Sequence, residues 1–172
     1  MDLRFLEPDL RKLDGANVEL CACSIWSDER PVRGLAGLVD WRLGGRVSAL
    51  LRSGFFRGEP GEALLVPGKP HVPFEKVLVV GLGVRETFSE ARFREGVLHI
   101  ASALERLRIR RAVVELPGRG IGAIEPEPAI TWTLECVGAS PDHDAWWIVE
   151  PVADQKRIEL RAAEERRRVR TV

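Results

Sequence analysis

The stretch from residue 76 to residue 116 constrains the fold more than any other. Lys76-Val77-Leu78-Val79-Val80 is an almost continuous apolar run rich in valine. Such a run suits a strand covered on both faces, as in a parallel or mixed sheet. Thr87 and Glu90 have the spacing of a capping box and predict a helix start. Phe93, Val97, Ile100, Leu104 and Leu107 then recur at steps of four, three, four and three, which is one apolar stripe of a helix. Ala112-Val113-Val114-Glu115-Leu116 is a second strand, ended by Pro117-Gly118. Strand, helix and strand in this order make a βαβ unit, normally a right-handed crossover between parallel strands.

The flanking segments agree. Residues 17 to 23 alternate as a first strand, and Ser27-Asp28-Glu29-Arg30-Pro31 reads as a turn. Leu35 to Leu51 has helical periodicity, but Gly44-Gly45 predicts a kink or two short helices there. Glu62 to Val66 is a short strand stopped by Pro67-Gly68. Pro126 and Pro128 confine a further helix to a start at Pro128 or just before it. Ala145-Trp146-Trp147-Ile148-Val149 is a late strand, and residues 152–170 form a charge-dense helix in which Glu164 and Arg168 are spaced as an i,i+4 pair. The pattern is α/β: a mixed, mostly parallel sheet with helices on both faces, in a single domain spanning 1–172.

Composition narrows the function classes. The 172 residues are 45% hydrophobic and 30% charged, which is a globular balance. Lys+Arg 26 against Asp+Glu 26 gives zero net charge, so a uniformly basic nucleic-acid binder is disfavoured. No apolar run is long enough to span a membrane, and the N-terminus has no secretory h-region. Three cysteines without metal spacing read as buried thiols of a cytoplasmic protein.

The order Leu35-Ala36-Gly37-Leu38-Val39-Asp40, Leu43-Gly44-Gly45, Phe55 to Glu62, Leu64 to Gly68, and Lys76 through Gly81-Leu82-Gly83 resembles the N-terminal domain of the zinc leucyl aminopeptidases, the cytosol aminopeptidases. The resemblance covers about residues 17 to 122. It implies a macro-domain-like fold. It carries over no peptidase, because in that family the metals and the catalytic Lys and Arg belong to a separate C-terminal domain. No catalytic residue, metal ligand or cofactor is therefore assigned here. Met1 and the charged C-terminal helix favour a standalone domain.

Two glycine loops are candidate ligand sites. Gly81 and Gly83 follow a strand and precede a helix, a placement that suits an anion. Glu86 stands where a dinucleotide fingerprint has its third glycine. Gly118, Arg119, Gly120 and Gly122 form the better loop, with a guanidinium. Macro domains hold a diphosphate on a glycine-rich loop in a comparable place. Both loops also read as plain connections. Trp26, Trp132, Trp146 and Trp147 are candidate interface residues, since aromatic side chains are enriched at hot spots. Adjacent Trp146 and Trp147 point to opposite sheet faces. His71, His99 and His143 share no metal spacing, and His99 lies off its helix's apolar stripe. The Arg-rich tail (Lys156, Arg157, Arg161, Arg166, Arg167, Arg168, Arg170) has no interleaved aromatic to stack on bases.

The leading expectation is a non-catalytic module acting through a protein partner or self-association. The alternative is a pocket for ADP-ribose or another nucleotide. A weaker one is nucleic-acid binding through the tail.

Overall fold

The computed structural model describes residues 1–170, without the side chains of Arg166, Arg168, Val169 and Arg170. The expected Glu164–Arg168 pair, and the contributions of Arg166 and Arg170, therefore lie outside the described residues. The strands are β1 (Asp2–Leu6), β2 (Leu20–Ile25), β3 (Ala63–Pro67), β4 (Lys76–Gly81), β5 (Arg111–Val114) and β6 (Ala145–Val149). The helices are α1 (Leu10–Asp14), α2 (Gly34–Arg42), α3 (Arg46–Arg52), α4 (Glu90–Arg106), α5 (Pro126–Val137) and α6 (Val152–Arg170). One sheet takes the order β1-β6-β5-β2-β4-β3. Every neighbouring pair is parallel except β3 with β4.

Strand periodicity divides the core. On one face Cys21, Cys23, Val77, Val79 and Val113 pack with Leu35, Val39 and Val47 of α2 and α3. On the other, Leu20, Ala22, Leu78, Ala112 and Val114 meet the α4 stripe of Phe93, Val97, Ile100 and Leu104. Truncating a buried leucine there costs about 2–5 kcal/mol. A third cluster docks Ile158 and Ala162 of α6 on Ile130 of α5.

The sequence places most elements within three residues of where they fold. Gly44-Gly45 does separate two helices, with φ of 64° and 78°, and the buried Asp40 carboxylate caps the second by accepting from Val47 N–H at 2.7 Å. Two readings need correction. The N-cap of α4 is Ser89, whose Oγ accepts from Arg92 N–H at 3.3 Å, whereas Thr87 Oγ1 donates to Val84 carbonyl in a preceding 3-10 turn. Helix α5 begins at Pro126, whose missing N–H is harmless in a first turn. Strand β1 and helix α1, upstream of the first expected strand, add a parallel edge beside β6.

Candidate ligand cleft at the strand ends

Because β2, β4, β5 and β6 are parallel, their carboxyl ends collect the loops after Ile25, Gly81, Val114 and Val149 on one edge of the sheet. This is where an open α/β sheet places a ligand crevice. Here the crevice is closed. The hollow between Trp26, Glu29, Arg33, Glu115, Gly118 and Gly120 is about 10 Å³. That is room for about one water molecule.

Glu115 and Glu29 line it, and Arg119 is turned away to Glu150. Glu115, the first residue beyond β5, is buried. Its Oε2 accepts from Leu35 N–H at 2.6 Å, so a carboxyl of the chain itself occupies the amide end of α2. Gly34 and Gly120 press on this group, since a Cβ at either would stand 2.7–2.9 Å from its oxygens. Burial pushes the Glu115 pKa up to about 8, against the lowering effect of the Leu35 N–H, and the Glu150 charge raises it further. Arg119 points away from the hollow. Its Nε and Nη2 donate to the two oxygens of Glu150 at 2.7 Å, Nη2 donates to Asp154 at 2.8 Å, and Nη1 donates to Ile124 carbonyl. The Arg119 and Glu150 side chains are only 6% and 1% exposed. Burial by itself would lower the guanidinium's pKa, but Glu150 and Asp154 outweigh it and the net direction is upward. Glu29 is the third acid. It is buried, its Oε1 has no hydrogen-bond partner among the described residues, and Arg33 and Arg85 stand 3.7 and 3.6 Å away.

Gly81 and Gly83 are held by the fold. Gly81 N–H donates to Glu62 carbonyl and Gly83 N–H to Gly58 carbonyl, so neither amide faces a ligand. A Cβ on Gly81 would meet Glu59 and Gly58 backbone. Gly118 has a φ of 77° and lies against Phe88, where a Cβ would come within 2.8 Å of the ring. Gly122 N–H closes a turn to Arg119 carbonyl. The structure thus brings Gly118, Gly120 and Glu115 together, and directs Arg119 into a buried ion-pair network. Sequence reading missed Glu29, Glu115 and Glu150. For Glu115 the available signal was a lone acid inside an apolar run.

The tryptophans are also redistributed. Trp26 is buried edge-on against Phe88 at 4.9 Å, and Trp146 is fully buried, so neither offers its ring to a partner. Trp132 is partly covered by Phe93 and by the Arg94 guanidinium. Trp147, on the opposite face from Trp146, lies under Arg4 and Arg111. The exposed indole is Trp41, at 72%. In the tail, Arg157 bonds Glu125 and Glu127, and Arg161 bonds Thr131 and Glu164. Those guanidinium groups are engaged with their own fold. No group of three or more metal-type side chains gathers among the described residues, and no described helix is long and apolar enough to cross a membrane.

Solved structures share the architecture at low identity. A macrodomain mutant from Oceanobacillus iheyensis superposes with a TM-score of 0.74 at 8% identity, covering 96% of this chain and 92% of its own. A Trypanosoma brucei macrodomain in complex with ADP gives 0.70 at 16%, covering 94% and 69%. A tomato leucine aminopeptidase mutant gives 0.65 at 15%, covering 92% of this chain and 35% of its own. A probable cytosol aminopeptidase of Halorhodospira halophila is 38% identical over 96 residues, which is 54% of this chain and 19% of that protein. The alignment thus spans about a fifth of this relative's length. The model of the cytosol aminopeptidase family's N-terminal domain matches residues 24–131, more than half of the chain, and this chain therefore belongs to the cytosol aminopeptidase family through that domain.

Proposed function

We propose that this chain is a non-catalytic, macro-like module that works in the cytoplasm through protein contacts, in assembly or regulation. One observation carries the reading: the strand-end crevice is filled by the chain's own groups. Glu115 occupies the amide end of α2, and Arg119 is held by Glu150 and Asp154. A diphosphate has no room in a hollow of about 10 Å³, and there it would meet Glu29 and Glu115, with Arg33 already beside Glu29 at 3.7 Å. The tail supports nucleic acid no better, since Arg157 and Arg161 are engaged with α5 and α6 acids. Three free cysteines and relatives named cytosol aminopeptidases fit a cytoplasmic setting.

The test uses the wild-type chain, because substitutions at Arg119 or Gly120 disturb packing. Calorimetric titration with ADP-ribose at low salt should give no saturable heat. Assays with leucyl substrates and added zinc or manganese should give no cleavage. Saturable heat would move the protein to the nucleotide-binding class, and cleavage would make it an enzyme; either overturns the reading.

A further inference from the structure

Away from the closed crevice the molecule carries an open groove of about 520 Å³ between α4 and edge strand β3. Leu65 of β3 pairs with Leu78 of β4 on the face that α4 covers. The helix leaves the β3 end of that face bare, so Leu65 is 45% exposed and Leu98 of α4 is 49% exposed beside it. Trp41 and Phe55 are also exposed, but scattered exposed apolar residues need no explanation.

We infer that this groove is the contact face of a symmetric dimer, with a second copy of the chain seated α4 against α4 in antiparallel fashion. The inference rests on the contact-module reading above and names its surface. Charge complementarity along one helix selects this occupant. Glu95 and Arg106 both line the groove, at its two ends. Eleven positions separate them, about three turns, about 16 Å of rise and about 20° from a common line. A two-fold axis between Ile100 and Ala101 sets Glu95 against the partner's Arg106, and Arg106 against the partner's Glu95. The same axis pairs Leu98 with the partner's Ala103 and His99 with the partner's Ser102. All these positions line the groove. A closed two-fold contact requires such self-complementarity. A strand is a poorer occupant, because β3 is five residues long and ends in Pro67, features that blunt edge pairing.

The test is sedimentation equilibrium on the full chain, with charge-reversed variants at these exposed positions. The wild type should show a concentration-dependent mass reaching twice 19.2 kDa. E95R alone and R106E alone each set like charges across the axis twice, and each should raise the dissociation constant by about tenfold or more. An equal mixture of the two variants places opposite charges at both contacts and should restore association, as should the E95R/R106E double variant. Circular dichroism melts check that each variant folds. E95R also removes an exposed bond from Arg92, so R106E and the mixture serve as independent arms. A wild type that stays monomeric at the highest attainable concentration overturns the dimer, and so do reversals without effect or a mixture without rescue. These failures leave the contact-module reading standing when ADP-ribose gives no heat. Saturable ADP-ribose heat removes that reading instead, whatever the mass.

Discussion

Gly120 has no room for a side chain, because its Cα lies against the Glu115 carboxyl and a Cβ would stand 2.7 Å from both oxygens. Gly120→Ala should therefore unfold at lower urea, by about 1–3 kcal/mol, as overpacking of a filled site costs. Arg119→Ala should be worse. It strands Glu150, 1% exposed, without its bidentate partner, and removing one member of a buried pair costs about 3–5 kcal/mol. Both are checked by urea titration. A loss under 1 kcal/mol at Arg119 would mean that Glu150 finds another partner or solvent. The same arithmetic shows why residue-level reading of the sequence misleads here. A glycine-rich loop with one arginine has the composition of an anion site, yet its arginine serves an acid 31 positions away, and the amide end of α2 is taken by an acid 80 positions away. No local pattern carries either contact.

Helix α4 shows what does travel in local pattern. Of its five stripe residues Phe93, Val97, Ile100 and Leu104 are fully buried, because a 3.6-residue period aims them at one face of the sheet, and Leu107, at the C-cap, is half-buried. The strand runs at 76–80 and 145–149 and the glycine break at 44–45 were legible for the same reason. The start of α4 was not, because two hydroxyl residues two positions apart compete for the cap and backbone geometry decides between them. Ser89 has extended φ and ψ of −149° and 170° and accepts the Arg92 N–H. Ser89→Ala should thus cost about 1 kcal/mol, as loss of an N-cap does. Thr87→Ala, which loses only an exposed bond to Val84 carbonyl, should cost no more than about 0.5 kcal/mol. Urea midpoints rank the two, and the reverse order would return the cap to Thr87. Strand β1 escaped notice because its alternation, with Leu3 and Phe5 turned to α5 and α6, lasts only four residues of a five-residue edge strand, the shortest run that argues for a strand.

At the scale of the whole molecule, two buried groups at opposite ends of the sheet set how stability responds to pH. Glu115, beyond the carboxyl end of β5, has its pKa raised from 4.5 to about 8 by burial. Between those values the folded chain binds a proton that the unfolded chain releases, so the stability it contributes is complete below 4.5 and is lost as pH rises to 8. His143 precedes β6 and packs on Trp146 at 5.3 Å. Burial lowers its pKa below 6.5, and nearby Glu105 and Asp142 only partly offset this. Its contribution is present above 6.5 and is lost as pH falls from 6.5 towards the folded value. From pH 8 to 6.5 only Glu115 slopes, and stability should rise on acidification by about 2 kcal/mol, at about 1.4 kcal/mol per pH unit. Below 6.5 the two slopes have opposite signs, so the profile should level off. Glu115→Gln keeps a carbonyl for the Leu35 N–H but cannot titrate. It should be flat from 8 to 6.5 and fall below 6.5, which unmasks His143. His143→Asn should instead keep rising below 6.5 towards 4.5. Melting temperatures from pH 5 to 9 distinguish all three profiles. A wild type whose stability does not fall from pH 6.5 to 8 would mean an ionised Glu115, and with it a crevice more solvated than the packing of Gly34 and Gly120 allows.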